Sequence, residues 1–166
     1  MSKSKLFSVV ILCYRHFEYL FEAIDSVLQQ NYPAIELIIS DDGSNEFPSE
    51  QVEQYILKQK GKNVQSVQIR REETNVGTVR HLNHVVRRVH GDYIVFLAGD
   101  DCLYDENVLC AYASGFNQAP KDCLIEMAQT GMYDDTLKKP ALFKEDVRDD
   151  VDTSFDEDLL RMLQQE

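Results

Sequence analysis

The sequence is short of cations, of turn-formers and of long apolar runs, and each shortage removes a class of protein. Against 29 acidic residues stand only 17 Lys and Arg, a formal charge of −12 over 166 residues. Nucleic acids and anionic membranes are bound by clustered cations that displace counterions, so neither is the expected partner. Seven glycines and four prolines are too few for a collagen-like or low-complexity chain. The longest nearly apolar run, Phe7 to Tyr14, falls far short of the ~20 residues of a membrane helix, and the start MSKSK precedes too short an apolar segment for a signal peptide. No transmembrane segment is expected and the chain reads as cytoplasmic. Cys13, Cys102, Cys110 and Cys123 contain no CxxC and no paired spacing, and three of them sit in apolar runs; they read as reduced structural thiols rather than a zinc site. Neither GxGxxG nor the P-loop pattern GxxxxGKS/T occurs, which argues against dinucleotide dehydrogenases and P-loop NTPases.

What is present alternates. Phe7 to Cys13 (FSVVILC) is a continuous apolar, β-branched run, as in a parallel strand buried on both faces. Glu18 to Gln30 changes to helical period, with Leu20, Phe21, Ile24, Val27 and Leu28 on one stripe. Ile35 to Ser40 predicts a second strand, Ser49 to Lys60 a second helix and Val64 to Ile69 a weaker third strand. Thr78 to His90 predicts a helix with Val79, Leu82, Val85, Val86 and Val89 inward, followed by a fourth buried strand at Tyr93 to Leu97. Asn107 to Asn117 predicts a last helix and Cys123 to Met127 a fifth strand. This order specifies an α/β, three-layer sandwich with a doubly wound, mainly parallel, Rossmann-like sheet over residues 1–131. Residues 132–166 read as an acidic tail with a short helix near its end; the last 34 residues carry a net −6, which suits a solvated surface.

In open parallel sheets ligands bind beyond the carboxyl ends of the strands, near the switch in strand order. Here those ends run into Tyr14-Arg15, Asp41-Asp42-Gly43-Ser44 and Gly99-Asp100-Asp101. With the common order 3-2-1-4, four carboxylates and an aromatic ring converge on one edge. Clustered carboxylates repel unless a cation compensates them, and an all-oxygen set suits Mg2+ or Mn2+ shared with substrate phosphates. The Asp41 motif also suits a plain turn with a helix cap, and Tyr14 a packing residue at the rim. His81 and His84 fall near the polar side of the third helix and read as solvated surface. The Asn75-Val76-Gly77 turn offers N–H groups to an anion, and Arg80 in the next helical turn is the cation best placed for phosphate, or a surface arginine. Phosphorelay receivers also carry an acid pair on such a sheet, but after the first strand, where this chain has Cys13-Tyr14.

Together SVVILCYR, AIDSVLQQNYPAIELIISDDGSNE, NVGTVRHLN and GDYIVFLAGDDCLYDENVL, spanning about Ser8 to Leu109, resemble the amino-terminal half of the family-2, GT-A-fold glycosyltransferases. The resemblance implies a nucleotide-diphosphate sugar donor, usually UDP-linked, a divalent metal, and inverting transfer to an acceptor hydroxyl. It implies that Tyr14 lies against the nucleobase, that Asp41 accepts from the base imide N–H, that Asp100 meets ribose or metal, and that Asp101 meets the metal.

Three positions depart from the family pattern. Leu12 and Arg15 stand where Pro and Asn often flank the tyrosine, and Ala98 replaces the first acid of the Asp-x-Asp triplet. The family's catalytic base lies beyond the fifth strand; acids such as Asp134, Asp135, Asp146, Asp149 and Asp150 follow it here, with nothing to mark any as the base. The expectation is therefore a donor-binding portion of a longer enzyme that does not itself transfer sugar. The rival is a non-catalytic nucleotide-binding or interaction module.

Overall fold

The computed structural model describes residues 4–126 and the backbone of 131–132 and 141–142. The chain divides into two compact units, Met1–Glu126 and Met127–Glu166. In the second, β5 (Gly131–Met132) and β6 (Ala141–Leu142) form a short antiparallel pair. The acids considered for the base, Asp134 to Asp150, lie outside the described residues.

The first unit alternates β1 (Phe7–Cys13), α1 (Leu20–Leu28), β2 (Ile35–Asp41), α2 (Ser49–Gln59), β3 (Val64–Arg71), α3 (Thr78–Val86), β4 (Tyr93–Ala98) and α4 (Val108–Gln118). The four strands are all parallel, in the order β3-β2-β1-β4, as the sequence predicts. Continuous apolar strands need cover on both faces, and they receive it. Phe7, Val9 and Ile11 of β1 join Leu20, Ala23, Ile24, Val27 and Leu28 of α1, Val52 and Ile56 of α2, and Leu109 of α4 in the main core. On the opposite face Val10 and Ile38 pack beneath Val85 of α3. The result is a three-layer sandwich. Each fully buried Val, Ile or Leu in it contributes about 1.5–3 kcal/mol over an exposed one.

Two expectations about the strands fail, one at β4 and one after α4. Strand β4 was expected to be buried on both faces, yet Ile94 and Phe96 are 36% and 41% exposed. The reason is coverage: α3 packs over β1 and β2 through Val10, Ile38 and Val85, and does not reach β4. Cys123 to Glu126 is not a strand. It follows a turn closed by Cys123 N–H on Pro120 C=O (3.0 Å), and Leu124 and Ile125 are exposed; Met127 lies outside the described residues. Of the four cysteines only Cys13 is buried, while Cys102 and Cys110 are exposed; all four are free thiols. Among the described residues no helix is long and apolar enough to cross a membrane.

Helix α3 also stops earlier than its period suggests, at Val86 rather than His90. A polar anchor pulls the chain out of the helix. Glu36, 1% exposed near the start of β2, accepts hydrogen bonds from Ser8 Oγ (2.6 Å), Gln68 Nε2 (2.8 Å) and the backbone N–H of His90 (2.9 Å), with His90 Nδ1 at 2.8 Å. Gly91 N–H then donates to Ser8 Oγ (2.8 Å), and any Cβ on Gly91 would lie 2.6 Å from the Ser8 backbone nitrogen. The α3–β4 turn is thus fastened to β1 and β2 at the amino end of the sheet.

Burial alone would push the Glu36 carboxyl up, but the hydrogen bonds from Ser8, His90 and Gln68 outweigh it and hold it below its ordinary value. A carboxylate so depressed stabilises the fold above its unfolded pKa, and the contribution is lost as the pH falls through the folded value. Replacing Glu36→Gln is expected to cost about 1–3 kcal/mol at pH 7, with the gap to wild type narrowing below about pH 4. Urea unfolding at both pH values measures this.

Candidate functional site

Register brings three strand ends level. Asp41 pairs with Cys13 and Ala98 with Leu12, and the chain leaving each strand stays tied to β1: Asp42 N–H donates to Cys13 C=O (3.0 Å) and Gly99 N–H to Leu12 C=O (2.8 Å). Tyr14, the Asp41–Ser44 turn and the Gly99–Asp101 segment therefore leave from one edge. Asp41 and Asp100 stand about two strand spacings apart, ~10 Å, with Tyr14 and Arg15 between them. Gly99 permits the close approach of β4 to β1, since a Cβ there would meet that of Cys13 at 3.1 Å.

The acidic turn is held from within. Asp41 is fully buried. Its Oδ2 accepts Ser44 N–H (2.8 Å), its Oδ1 accepts the Ser44 hydroxyl, and Arg71 Nε lies 3.6 Å away. Arg71 also donates to Ser44 C=O. No oxygen of Asp41 faces solvent, so a nucleobase reaches it only by displacing one of these partners. Ser44 Oγ in turn accepts Arg15 N–H (2.8 Å), which joins the β2 turn to the loop after β1. The helix-cap alternative for this motif does not hold: α2 begins five residues on, at Ser49, after Pro48.

Asp42 closes the turn ahead of α3. Its carboxylate accepts Val76 N–H (2.9 Å) and Gly77 N–H (3.0 Å), so two N–H groups that could also receive an anion are filled by the chain's own acid. Gly43, at φ 75°, lies so close to this loop that a Cβ would be 2.3 Å from the Thr74 carbonyl carbon. Arg80, exposed in the first turn of α3, carries its charge outside these contacts.

His81 is not solvated surface. It is 3% exposed, with Nε2 2.7 Å from Ser40 Oγ. The predicted stripe is rotated: His81 and Val85 face the sheet, whereas Val79 and Val86 are exposed. A hydroxyl on the covered face of β2 gives the imidazole a partner that a valine could not use. Burial lowers the His81 pKa against the opposing pull of Asp42, Glu72 and Asp41, so a neutral ring is favoured beneath the turn. His84 Nδ1 lies 3.0 Å from Glu72, in a half-buried pair. A concavity of about 430 Å³ opens beside the turn, on the α3 side of β3, lined by Ser40, Arg71, Thr74, Val76, His84 and Arg88 among others.

Asp100 and Asp101 differ from the other two acids. Both are exposed, and among the described residues neither is paired with a basic side chain. Asp101 N–H closes a turn on Ala98 C=O (3.1 Å). Its carboxyl is pushed up by partial burial and then by the charge of Asp100, the behaviour of adjacent carboxylates that lack a cation. Among the described residues no three His, Cys, Asp or Glu side chains cluster as a complete metal shell. The donor set is two hard oxygen ligands, which fits Mg2+ or Mn2+ only if the remaining positions come from substrate and water. Cys13, just beneath, is no nucleophile: burial and the Asp41 charge push its thiol up to about 12.

The plain-turn alternative for Asp41 to Ser44 holds, with Ser44 closing it on Asp41. Sequence reasoning missed the Asp42 contacts and the Ser40–His81 pair as builders of this edge, because they run across 34 and 41 positions.

Comparison with known proteins converges on one class. The family model described as Glycosyl transferase family 2 matches residues 8–163. The chain is 28% identical over 109 residues to the glycosyltransferase GlyG of Streptococcus pneumoniae, covering 66% of this chain and 35% of that protein. It is 34% identical over 103 residues to an uncharacterized glycosyltransferase of Haemophilus influenzae, covering 62% and 39%. It is 28% identical over 149 residues to the putative teichuronic acid biosynthesis glycosyltransferase TuaG of Bacillus subtilis, covering 80% and 57%. The chain thus spans from about a third to somewhat over half the length of these relatives. Among solved structures, S. aureus TarS 1–349 in complex with UDP-GlcNAc superposes with a TM-score of 0.58 at 23% identity, over 68% of this chain and 31% of that one. The mannosyltransferase PcManGT from Pyrobaculum calidifontis, in complex with GDP-Man and Mn2+, gives 0.58 at 18% identity, over 65% and 31%. At these identities the likeness is one of fold.

The turn geometry generates a test of its own. Gly43→Ala combines a positive φ with a clash against backbone that cannot yield, so a loss of about 2 kcal/mol or more is expected. Thermal unfolding reads the loss, and amide exchange is expected to rise at Val76 and Gly77, whose partner Asp42 shares the turn.

Proposed function

Because the chain belongs to glycosyl transferase family 2, we propose that its first unit binds a nucleoside-diphosphate sugar at the level ends of β1, β2 and β4, as part of an enzyme that transfers the sugar to an acceptor hydroxyl. The observation that carries this is the convergence there of Tyr14, a rigid acidic turn and an unpaired acid pair. Tyr14 offers its ring to the nucleobase. Asp41 accepts the base imide N–H in exchange for the Ser44 hydroxyl. Asp100 and Asp101 hold Mg2+ or Mn2+ together with the diphosphate, and Arg80 supplies positive charge to a phosphate. When bound, such a cation stabilises the charge that develops on the departing nucleoside diphosphate. Inverting transfer also needs a carboxylate to take the acceptor proton, and we place that base outside the described residues. A uridine donor is favoured because cytosine has no imide N–H for Asp41; TarS, of the same fold, is known with UDP-GlcNAc and with UDP. Ala98, which leaves the Asp-x-Asp pattern one acid short, favours a second reading, a module that binds nucleotide without catalysing transfer.

Calorimetric titration tests the assignment. UDP is expected to bind more tightly than CDP by about 1–3 kcal/mol, the cost when a base displaces the Ser44 hydroxyl from the buried carboxylate and offers no N–H in exchange, and Asp41→Ala to abolish the difference; equal affinities would leave Asp41 with a purely structural task. Mn2+ is expected to strengthen UDP binding, and Asp101→Ala to remove that enhancement while uridine binding stays nearly unchanged, because only the diphosphate shares the ion. A Mn2+ effect that survives the substitution would place the cation elsewhere. Sugar transfer above a metal-only control by the 166-residue chain would rule out the binding module and overturn the expectation that this chain does not itself transfer sugar.

A further inference from the structure

Arg15 occupies a conformation that its residue type avoids. Among the described residues it is the one non-glycine with positive φ, at 65°, and His16 N–H donates to Tyr14 C=O across it at 2.8 Å. A positive φ inside an i to i+2 hydrogen bond marks the strained form of γ-turn. Arginine has no side chain that relieves a left-handed backbone, unlike Asn or Asp. The strain is held by the site itself, because Arg15 N–H is captured by Ser44 Oγ, the group that also bonds Asp41. The turn brings the Arg15 guanidinium over the Tyr14 ring, 4.6 Å from its centroid. A planar cation at that distance covers the face it sits on. Arg15 itself is exposed, in the crevice between the ends of β2 and β4.

Resting on the donor-site reading above, we infer that Arg15 is a specificity-determining residue that makes binding depend on the phosphates of the donor. In the free protein its guanidinium covers the ring that a nucleobase would use. A nucleoside carries no charge to draw it away and must compete with it for Tyr14. A nucleoside diphosphate offers a bidentate anionic partner, so the guanidinium moves from ring to phosphate and uncovers the platform as it binds. The same side chain opposes the base alone and assists the base with its phosphates. Its positive charge at this edge also offsets the two unpaired carboxylates, Asp100 and Asp101, which by themselves repel a diphosphate.

The test compares Arg15→Asn with the wild-type chain. Asparagine tolerates positive φ, so the thermal midpoint is expected to hold or rise, and the variant remains folded for titration. UDP with uridine, and GDP with guanosine, are titrated calorimetrically at one ionic strength without added metal. In the variant the nucleoside is expected to bind about threefold more tightly and the diphosphate about threefold more weakly, so that their affinity ratio falls about tenfold, which corresponds to 1.4 kcal/mol. Arg15→Lys keeps a cation but not a planar stack, so it should show the nucleoside gain with a smaller diphosphate loss. Equal changes for nucleoside and diphosphate would overturn the inference in favour of a structural role. A weaker diphosphate with unchanged nucleoside would also overturn it, by showing a charge effect without a covered ring. If the wild-type chain binds neither diphosphate even when Mn2+ is added, the donor-site reading fails and the inference with it; if it binds them and the ratio survives the substitution, only the inference fails.

Discussion

Parallel pairing is the constraint on which the rest depends. Two neighbouring strands can run parallel only if the chain crosses back between them, so each crossover returns it to the same starting edge and every strand delivers its end to the same opposite edge. Here β1 lies between β2 and β4, in register with both. The residues after Cys13, Asp41 and Ala98 have no choice but to meet. Strand order decides which meet: after β3 the chain passes over β2 and β1 to add β4 on the far side, which leaves a crevice above β1. A ligand site follows from topology before any side chain is specified.

What topology leaves open is rigidity, and burial supplies it. A carboxylate at 0% exposure is costly unless its oxygens are satisfied, and those of Asp41 are, by Ser44 and Arg71. Removing one partner would strand a buried charge, so the turn has little freedom to rearrange. Asp42 extends the same logic to the loop before α3, and His81 on Ser40 fixes the helix over β2. At the other end of the sheet Glu36 repeats the device by fastening the α3–β4 turn. Each end of the sheet is therefore locked by a buried acid whose partners come from different elements.

How much of this a reader of the sequence could have seen depends on the range of the contacts involved. The strands, the helices and the order of the sheet were legible because hydrophobic period is local, and the family motifs located the edge where the acids gather. The errors share a cause. The valines Val79 and Val86 looked inward because α3 was read without knowledge of its neighbour, and the neighbour presented a hydroxyl that selected His81. Ile94 and Phe96 looked buried because a run of apolar residues does not reveal that its covering helix stops one strand short. Cys123 to Glu126 looked like a strand because composition favours one, yet the segment stays outside the sheet with Leu124 and Ile125 exposed. Propensity identifies what a segment can become; coverage decides what it does become.

The four acids at the strand ends show why composition overstates the charge of the site. In sequence Asp41, Asp42, Asp100 and Asp101 look equivalent, and together they suggest a strongly anionic rim. In the fold the first two are consumed as structure: one is neutralised against Arg71 and the Ser44 turn, the other against two backbone N–H groups. Of the four, only Asp100 and Asp101 have no basic partner among the described residues, and partial burial, then the charge of Asp100, pushes Asp101 up. On the proposed donor-site reading, an edge with two available carboxylates rather than four accepts an anionic diphosphate once a single divalent ion, or that ion with Arg15 and Arg80, balances it. Two acids held in the wall and two left without a basic partner give the edge a fixed shape and, on the proposed donor-site reading, a charge that one divalent ion can balance.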